Sequence, residues 1–240
     1  MASLPLRVFL LTCRKYAWTL RPFSYCFNLF WSSLQPVVVG GFEPLPFPLP
    51  PNFTFHQIDT YDYPARIWSN GLIKLLNEVP DDYLVILFDD YWLCRGVDHG
   101  GVLTLLDYMR QHPNVVRFDL TADRLYGHMM KDIEFYGHYD IVECAEDAPY
   151  QFSFQAAIWN KKLLLELLVP DKSPWEVEIY TNMVGRGMRV LGSRQWPVRY
   201  ANAMNLGKLD RGQIDRIPEP HRSEVVKWIP AGLDVRKDNP

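Results

Sequence analysis

No apolar run in the 240 residues approaches the roughly 20 needed to cross a bilayer. The opening MASLPLRVFLLTC is too short for a leader and is interrupted by Arg7, so it reads as a first strand. Cysteine is sparse. Cys13, Cys26, Cys94 and Cys144 show neither metal-finger nor redox-motif spacing, which argues against a zinc module or a disulfide framework and for free thiols in a reducing compartment. Glycine is missing where a nucleotidyltransferase would carry its phosphate loop: LLTCRKYAW, at the end of the first apolar run, has none. Nor does FDDYWL fit the Asp-any-Asp-any-Thr of an aspartyl phosphatase. The expectation is a soluble, cytoplasmic protein without a membrane partner.

What is present is ordinary globular material: 48% hydrophobic and 22% charged residues, with aromatics high at 14%. The net charge of −3 is unevenly spread. Residues 1–185 hold 14 Lys and Arg against 22 Asp and Glu, whereas residues 186–240 hold 11 against 6. A basic last quarter on an acidic body suits either a polyanion-facing patch or a solvated tail.

Strand-like and helix-like segments alternate. LRVFLLTC, PVVVGGF, FTFHQID and YLVILFDD read as four strands. RPFSYCFNLFWSSL has helical spacing, and EPLPFPLPPN can only be an extended loop. Ser69 or Asn70 is placed to cap a helix through GLIKLLNEV that stops at Pro80. Beyond it, residues 101–111 read as helix, NVVRFDLT and YDIVECA as strands, and YQFSFQAAIW as an alternating run entering the helix KKLLLELLV. SPWEVEIY opens a helix with Ser173 as N-cap and Pro174 at its first position. RVLGSRQWPVRYAN reads as a late strand region and 221–228 as a helix. The expected fold is α/β: a three-layer α/β/α sandwich on a mostly parallel sheet.

YLVILFDDYWL raises a chemical question, because Asp89 and Asp90 repel one another and neither suits a core. At the carboxyl end of a strand, two carboxylates can hold a hard divalent cation that neutralises a diphosphate. Glu176 and Glu178, in the first turn of a downstream helix, are placed to act as general base. Gln151, Ser153 and Gln155 alternate with aromatics, giving a polar face for a sugar or base.

Taken together, ARIWSNGLIKLLNEVPDDYLVILFDDYWL, VVRFDLTADRLY, YQFSFQAAIWNKKLLLELL, SPWEVE and RVLGSRQWPVRYAN resemble the short glycosyltransferases of the GT-A fold common in viral and metagenomic sets. The likeness spans about residues 5–205. It implies a single GT-A-like domain over 1–205, with a nucleotide-binding half of about 1–95 and an acceptor half of about 96–205. Residues 206–240 form a basic extension packed on the same domain. It implies a nucleotide-sugar donor, UDP-linked by preference, and a divalent cation (Mn2+ or Mg2+) at Asp89 and Asp90. The usual motif is Asp-any-Asp, but Tyr stands at position 91. His128, His138 and His221 are candidates for a third ligand. Thr12, Arg14, Lys15, Arg66 and Trp68 would face the donor, and Glu176 or Glu178 would deprotonate an acceptor hydroxyl in an inverting transfer. The preferred acceptor is a 5-hydroxymethylated pyrimidine (hydroxymethylcytosine) in DNA, met by Gln155, Trp159, Trp175, Arg194, Trp196 and Arg199. A polysaccharide or small-molecule acceptor is the alternative, and a non-catalytic carbohydrate- or DNA-binding module the rival class.

Overall fold

In a computed structural model, which describes residues 4–122, 130–148, 150–181 and 183–236, the chain builds one central sheet with helices on both faces. The first half holds β1 (Arg7–Leu11), α1 (Leu20–Phe27), β2 (Val37–Gly41), β3 (Phe53–Gln57), α2 (Trp68–Glu78), β4 (Tyr83–Ile86), β5 (Tyr91–Leu93) and α3 (His99–Gln111). The second holds β6 (Val115–Asp119), β7 (Met130–Tyr136), β8 (Tyr139–Cys144), β9 (Ala157–Asn160), α4 (Lys161–Leu167), α5 (Pro174–Tyr180) and β10 (Arg189–Ser193). It ends with β11 (Tyr200–Asn202), β12 (Met204–Asn205), β13 (Lys208–Leu209), α6 (Arg211–Ile214) and α7 (His221–Val226).

Among the described residues the main sheet has nine strands in the order β3-β2-β1-β4-β9-β6-β10-β8-β7. β3, β2, β1 and β4 run parallel, as do β6 and β10, while β9 and β8 run against their neighbours. The sheet is therefore mostly parallel in strand direction, as the alternation of segments predicts. Its strands β1, β2 and β4 are apolar on both faces because both are covered, whereas the edge strand β7 is largely exposed. Val8, Leu10, Val85 and Phe118 join a core with α1, α3 and α7, whereas Phe9, Leu84, Ile86 and Val116 join a second core with α2, α4 and α5. This period-2 division of single strands between two cores makes the three layers.

β1 is flanked by β2 on one side and β4 on the other, so the chain reverses its direction of strand addition there. That is the topological switch point, where open α/β sheets form a crevice beyond the strands' carboxyl ends.

Several local expectations need correction. Ser69 and Asn70 lie inside α2 rather than at its cap: the Ser69 hydroxyl accepts from the Lys172 amide at 3.0 Å, and Asn70 bonds Asp171. Their polar groups tie α2 to the loop before α5 instead. The alternating run YQFSFQAAIW is irregular until β9, and β9 is central, between β4 and β6. Its apparent wet face is therefore the approach to the sheet's crevice. The late strand region RVLGSRQWPVRYAN holds β10 and β11, whereas β5, β7, β12 and β13 carry no sequence signal strong enough to separate them from loops.

α3 shows how tightly the second layer is set. Asp98 caps it by accepting from the Gly101 amide at 3.0 Å and also accepts the Tyr139 hydroxyl at 2.8 Å. A Cβ at position 101 would sit 1.8 Å from that hydroxyl oxygen. In an open helix Gly→Ala gains about 1 kcal/mol. Here Gly101→Ala is expected to lose about 2 kcal/mol or more in urea unfolding, with part recovered in a Tyr139→Phe background. A stabilised Gly101→Ala protein would contradict this packing.

Candidate active site

At the switch point lies a cavity of about 970 Å³. Its floor comes from residues just past strand ends: Thr12 and Cys13 after β1, Phe42 after β2, and Phe88, Asp89 and Asp90 after β4. Because β9 runs the other way, the segment before it, with Ser153 and Gln155, reaches the same edge. α5 supplies Trp175 and Glu178, and the β12–β13 hairpin closes the far wall with Asn205, Leu206 and Gly207.

β4 ends at Ile86, so the two acids stand in a turn beyond it rather than in the strand. Asp89 is 8% exposed, and the Thr12 hydroxyl donates to its Oδ2 at 2.6 Å. Thr12 thus acts first on the carboxylate, across 77 residues of sequence. Burial pushes the Asp89 carboxyl up, and the Thr12 and Thr19 hydroxyls pull it part of the way back. Burial again, and then the charge of Asp89, push Asp90 up. Among the described residues no lysine, arginine or histidine pairs with either acid.

Such a pair, desolvated and uncompensated, fits a hard cation held jointly with ligand oxygens. It does not fit a cation caged by protein alone: no cluster of three or more His, Cys, Asp or Glu is found among the described residues. His221 bonds the Tyr25 hydroxyl at 2.9 Å, and neither it nor His138 lines the cavity. His128 lies outside the described residues.

The two glutamates separate cleanly. Glu176 completes a capping box, accepting from the Ser173 amide at 2.9 Å and hydroxyl at 2.7 Å, and these bonds hold its carboxyl below the usual range. It is a helix cap and does not line the cavity. Glu178 does, and one of its oxygens accepts the Phe154 amide at 2.6 Å. Tyr91, in the place of the motif's second spaced acid, stacks on Tyr200 with ring centroids 4.1 Å apart. Its phenol is pushed far up by burial first, then by Tyr200 and the charges of Asp90 and Glu178.

Of the remaining sequence-derived residues, Lys15, Trp68, Gln155 and Trp175 line the cavity. Arg66 does not, and Arg14 opens into a neighbouring cavity and pairs with Glu43 at 3.5 Å. Trp159 is wholly buried among Phe152, Phe154 and Arg117, because β9 is central, and so it is a core residue. Arg194 is held by Asp132 at 2.7 and 2.9 Å. Arg199 lies 4.3 Å over the Trp196 ring, outside the cavity. Tyr16, Tyr63, Asn202 and the hairpin tip were not legible as site residues; only tyrosine and asparagine near strand ends hint at them.

No family model and no curated protein matches the sequence. Among solved structures, a UDP-glucose pyrophosphorylase bound to UDP-glucose aligns with a TM-score of 0.50 at 8% identity, over 93% of this chain and 100% of that one. A CMP:2-keto-3-deoxy-manno-octonic acid synthetase bound to CTP gives a TM-score of 0.47 at 10% identity, over 95% and 100% of the two chains. Residues 1–349 of S. aureus TarS give 0.48 at 12% identity, over 95% and 70%. At such identities the likeness is one of fold.

The acid pair also makes a stability prediction. The folded protein holds protons on these carboxylates more tightly than the unfolded chain, whose carboxylates titrate near about 4. Stability therefore falls as pH rises from that range through the raised one. Asp90→Asn is expected to raise Tm by at least about 3 °C at pH 8, with the gain vanishing near pH 4, in thermal unfolding followed by circular dichroism. An equal Tm difference at both pH values would remove the buried charge as its cause.

Proposed function

We propose that the protein is a glycosyltransferase moving a sugar from a nucleotide-sugar donor, UDP-linked by preference, to an acceptor hydroxyl. The observation carrying this reading is one cavity at the switch point lined by both Asp90 and Glu178, with Lys15 at its rim. The aligned pyrophosphorylase handles UDP-glucose on the same fold.

The chain's own groups divide the work. Thr12 holds Asp89 in place, leaving Asp90 turned to the cavity. Asp89 and Asp90 would hold the divalent cation together with the donor's diphosphate; when bound, it supplies charge neutralisation for the departing diphosphate. Lys15 has no carboxylate partner among the described residues and adds positive charge to the same region. The aromatics Phe42, Tyr63 and Trp68 offer apolar walls to a nucleoside and exclude water. Glu178, anchored by the Phe154 amide, is the base that takes the acceptor proton as its oxygen attacks the anomeric carbon. A single displacement inverts that carbon.

The lining favours a carbohydrate or small-molecule acceptor over hydroxymethylcytosine in DNA. Trp175, Tyr150, Ser153 and Gln155 line the cavity with Glu178, whereas the arginines that would follow a phosphate backbone stand elsewhere. Nucleotidyl transfer, the rival chemistry on this fold, lacks its glycine-rich loop after β1. We keep the domain reading of 1–205 with a packed 206–240 extension, which the contacts of Tyr25 with His221 and Trp228 support.

A panel of nucleotide sugars tests this, read by mass spectrometry for free nucleoside diphosphate and glycosylated product. Asp90→Ala is expected to abolish both donor hydrolysis and transfer. Glu178→Gln is expected to cut transfer at least about 100-fold, whereas Glu176→Gln costs at most about 1 kcal/mol of stability and leaves the rate near wild type. Pyrophosphate release in place of nucleoside diphosphate, or full turnover by Asp90→Ala, would overturn the assignment.

A further inference from the structure

We propose that the acceptor subsite continues out of the cavity along α5 and takes an acceptor whose sugar carries an apolar aglycone. This rests on the glycosyl-transfer reading above and adds the acceptor's chemical class. Trp175, Ile179, Tyr180 and Val184 are 58%, 55%, 71% and 53% exposed. Isolated apolar residues at a surface are normal, but four within ten positions, beside a cavity, mark a contact surface. Tyr150, 60% exposed, lines the cavity mouth with Trp175.

The strip is registered to the proposed base. Trp175 stands three positions before Glu178 and four before Ile179, so all three share one side of α5, while Val177 is buried on the other. A hydroxyl delivered to Glu178 therefore has apolar surface next to it, and the rest of that molecule leaves the cavity over Trp175 and Ile179. Trp175 gives a ring face for a sugar at the mouth. Further out, Ile179 and Val184 offer aliphatic surface beside the Tyr180 ring, which suits an apolar chain. IYTNMVG, residues 179–185, contains no charged residue. A polyanion would find no cationic side chain on it, and the α5 carboxylates Glu176 and Glu178 would repel one.

Matched glycosides test this without knowledge of the natural acceptor. Methyl and octyl β-D-glucopyranoside, and the corresponding galactopyranosides, are titrated calorimetrically below the octyl compounds' micelle concentration, with UDP and Mn2+ present. For at least one sugar the octyl member is expected to bind at least about tenfold tighter than the methyl member. The double variant Ile179→Ser/Tyr180→Ser, its fold checked by thermal unfolding, should reduce that preference below about threefold. Equal affinity within both pairs overturns the proposal. So does a preference that survives in the double variant, or sedimentation showing that the substitutions merely dissociate a dimer of this chain. Nucleoside diphosphate release without acceptor is measured alongside. Donor turnover without an octyl preference sinks this inference alone, whereas absence of turnover with every donor sinks the glycosyl-transfer reading beneath it.

Discussion

Two carboxyls placed side by side, one buried and one lining the cavity, constrain the residues around them. Among the described residues neither Asp89 nor Asp90 is paired with a lysine, arginine or histidine, so burial makes each costly whenever it is ionised. Thr12 offsets part of this for Asp89 by donating a hydroxyl. Among the described residues no side-chain hydroxyl does the same for Asp90, whose main push upward after burial is its neighbour. The cavity of about 970 Å³ thus holds two acids without a cationic partner among the described residues, a demand that the proposed cation and diphosphate would answer. Stability and ligand binding thus pull on the same two oxygens in opposite directions, which is how functional sites commonly sit in otherwise well-packed folds.

The sheet makes that arrangement possible. Parallel β1, β2 and β4 all deliver their carboxyl ends to one edge, so Thr12, Phe42 and Asp90 converge despite their distance in sequence. β9 runs the other way and so brings Ser153 and Gln155 to that edge from its amino end. α5 completes the site because its capping box fixes where it starts, and the start fixes which glutamate faces inward. Glu176 and Glu178 are two residues apart, about 200° around a helix, so one serves the cap and the other the cavity.

Much of this was legible beforehand, for reasons that can be named. β1, β2 and β4 are short apolar runs bounded by polar or glycine residues, and local pattern suffices to find them. The α5 cap is a local motif, Ser-Pro-Trp-Glu, and so is the acidic pair. What could not be read depends on pairing across long separations. β9 looks like a half-wet strand in sequence, and only its place between β4 and β6 makes Trp159 a core residue rather than an acceptor contact. Arg194 is neutralised by Asp132, 62 positions away. Ser69 seemed a cap because serine favours caps, but its hydroxyl serves Lys172, 103 positions downstream. Composition marked the C-terminal quarter as basic without saying which arginines were already engaged.

The acceptor question turns on that last distinction. A basic stretch in sequence suggests a polyanion only if its cations are free and stand together on the reacting face. Here Glu178 shares the cavity lining with Tyr150, Trp175, Ser153 and Gln155, groups that bond hydroxyls and cover sugar rings but repel no neutral ligand. The cation of the lining is Lys15, among the described residues, and it belongs to the edge after β1 with Thr12 and Cys13. On the proposed reading Lys15 is placed for the departing diphosphate, and among the described residues no other lysine or arginine lines the cavity. On the proposed reading, a neutral acceptor would enter such a cavity without giving up counterions, and Glu178 would meet a hydroxyl rather than a competing phosphate.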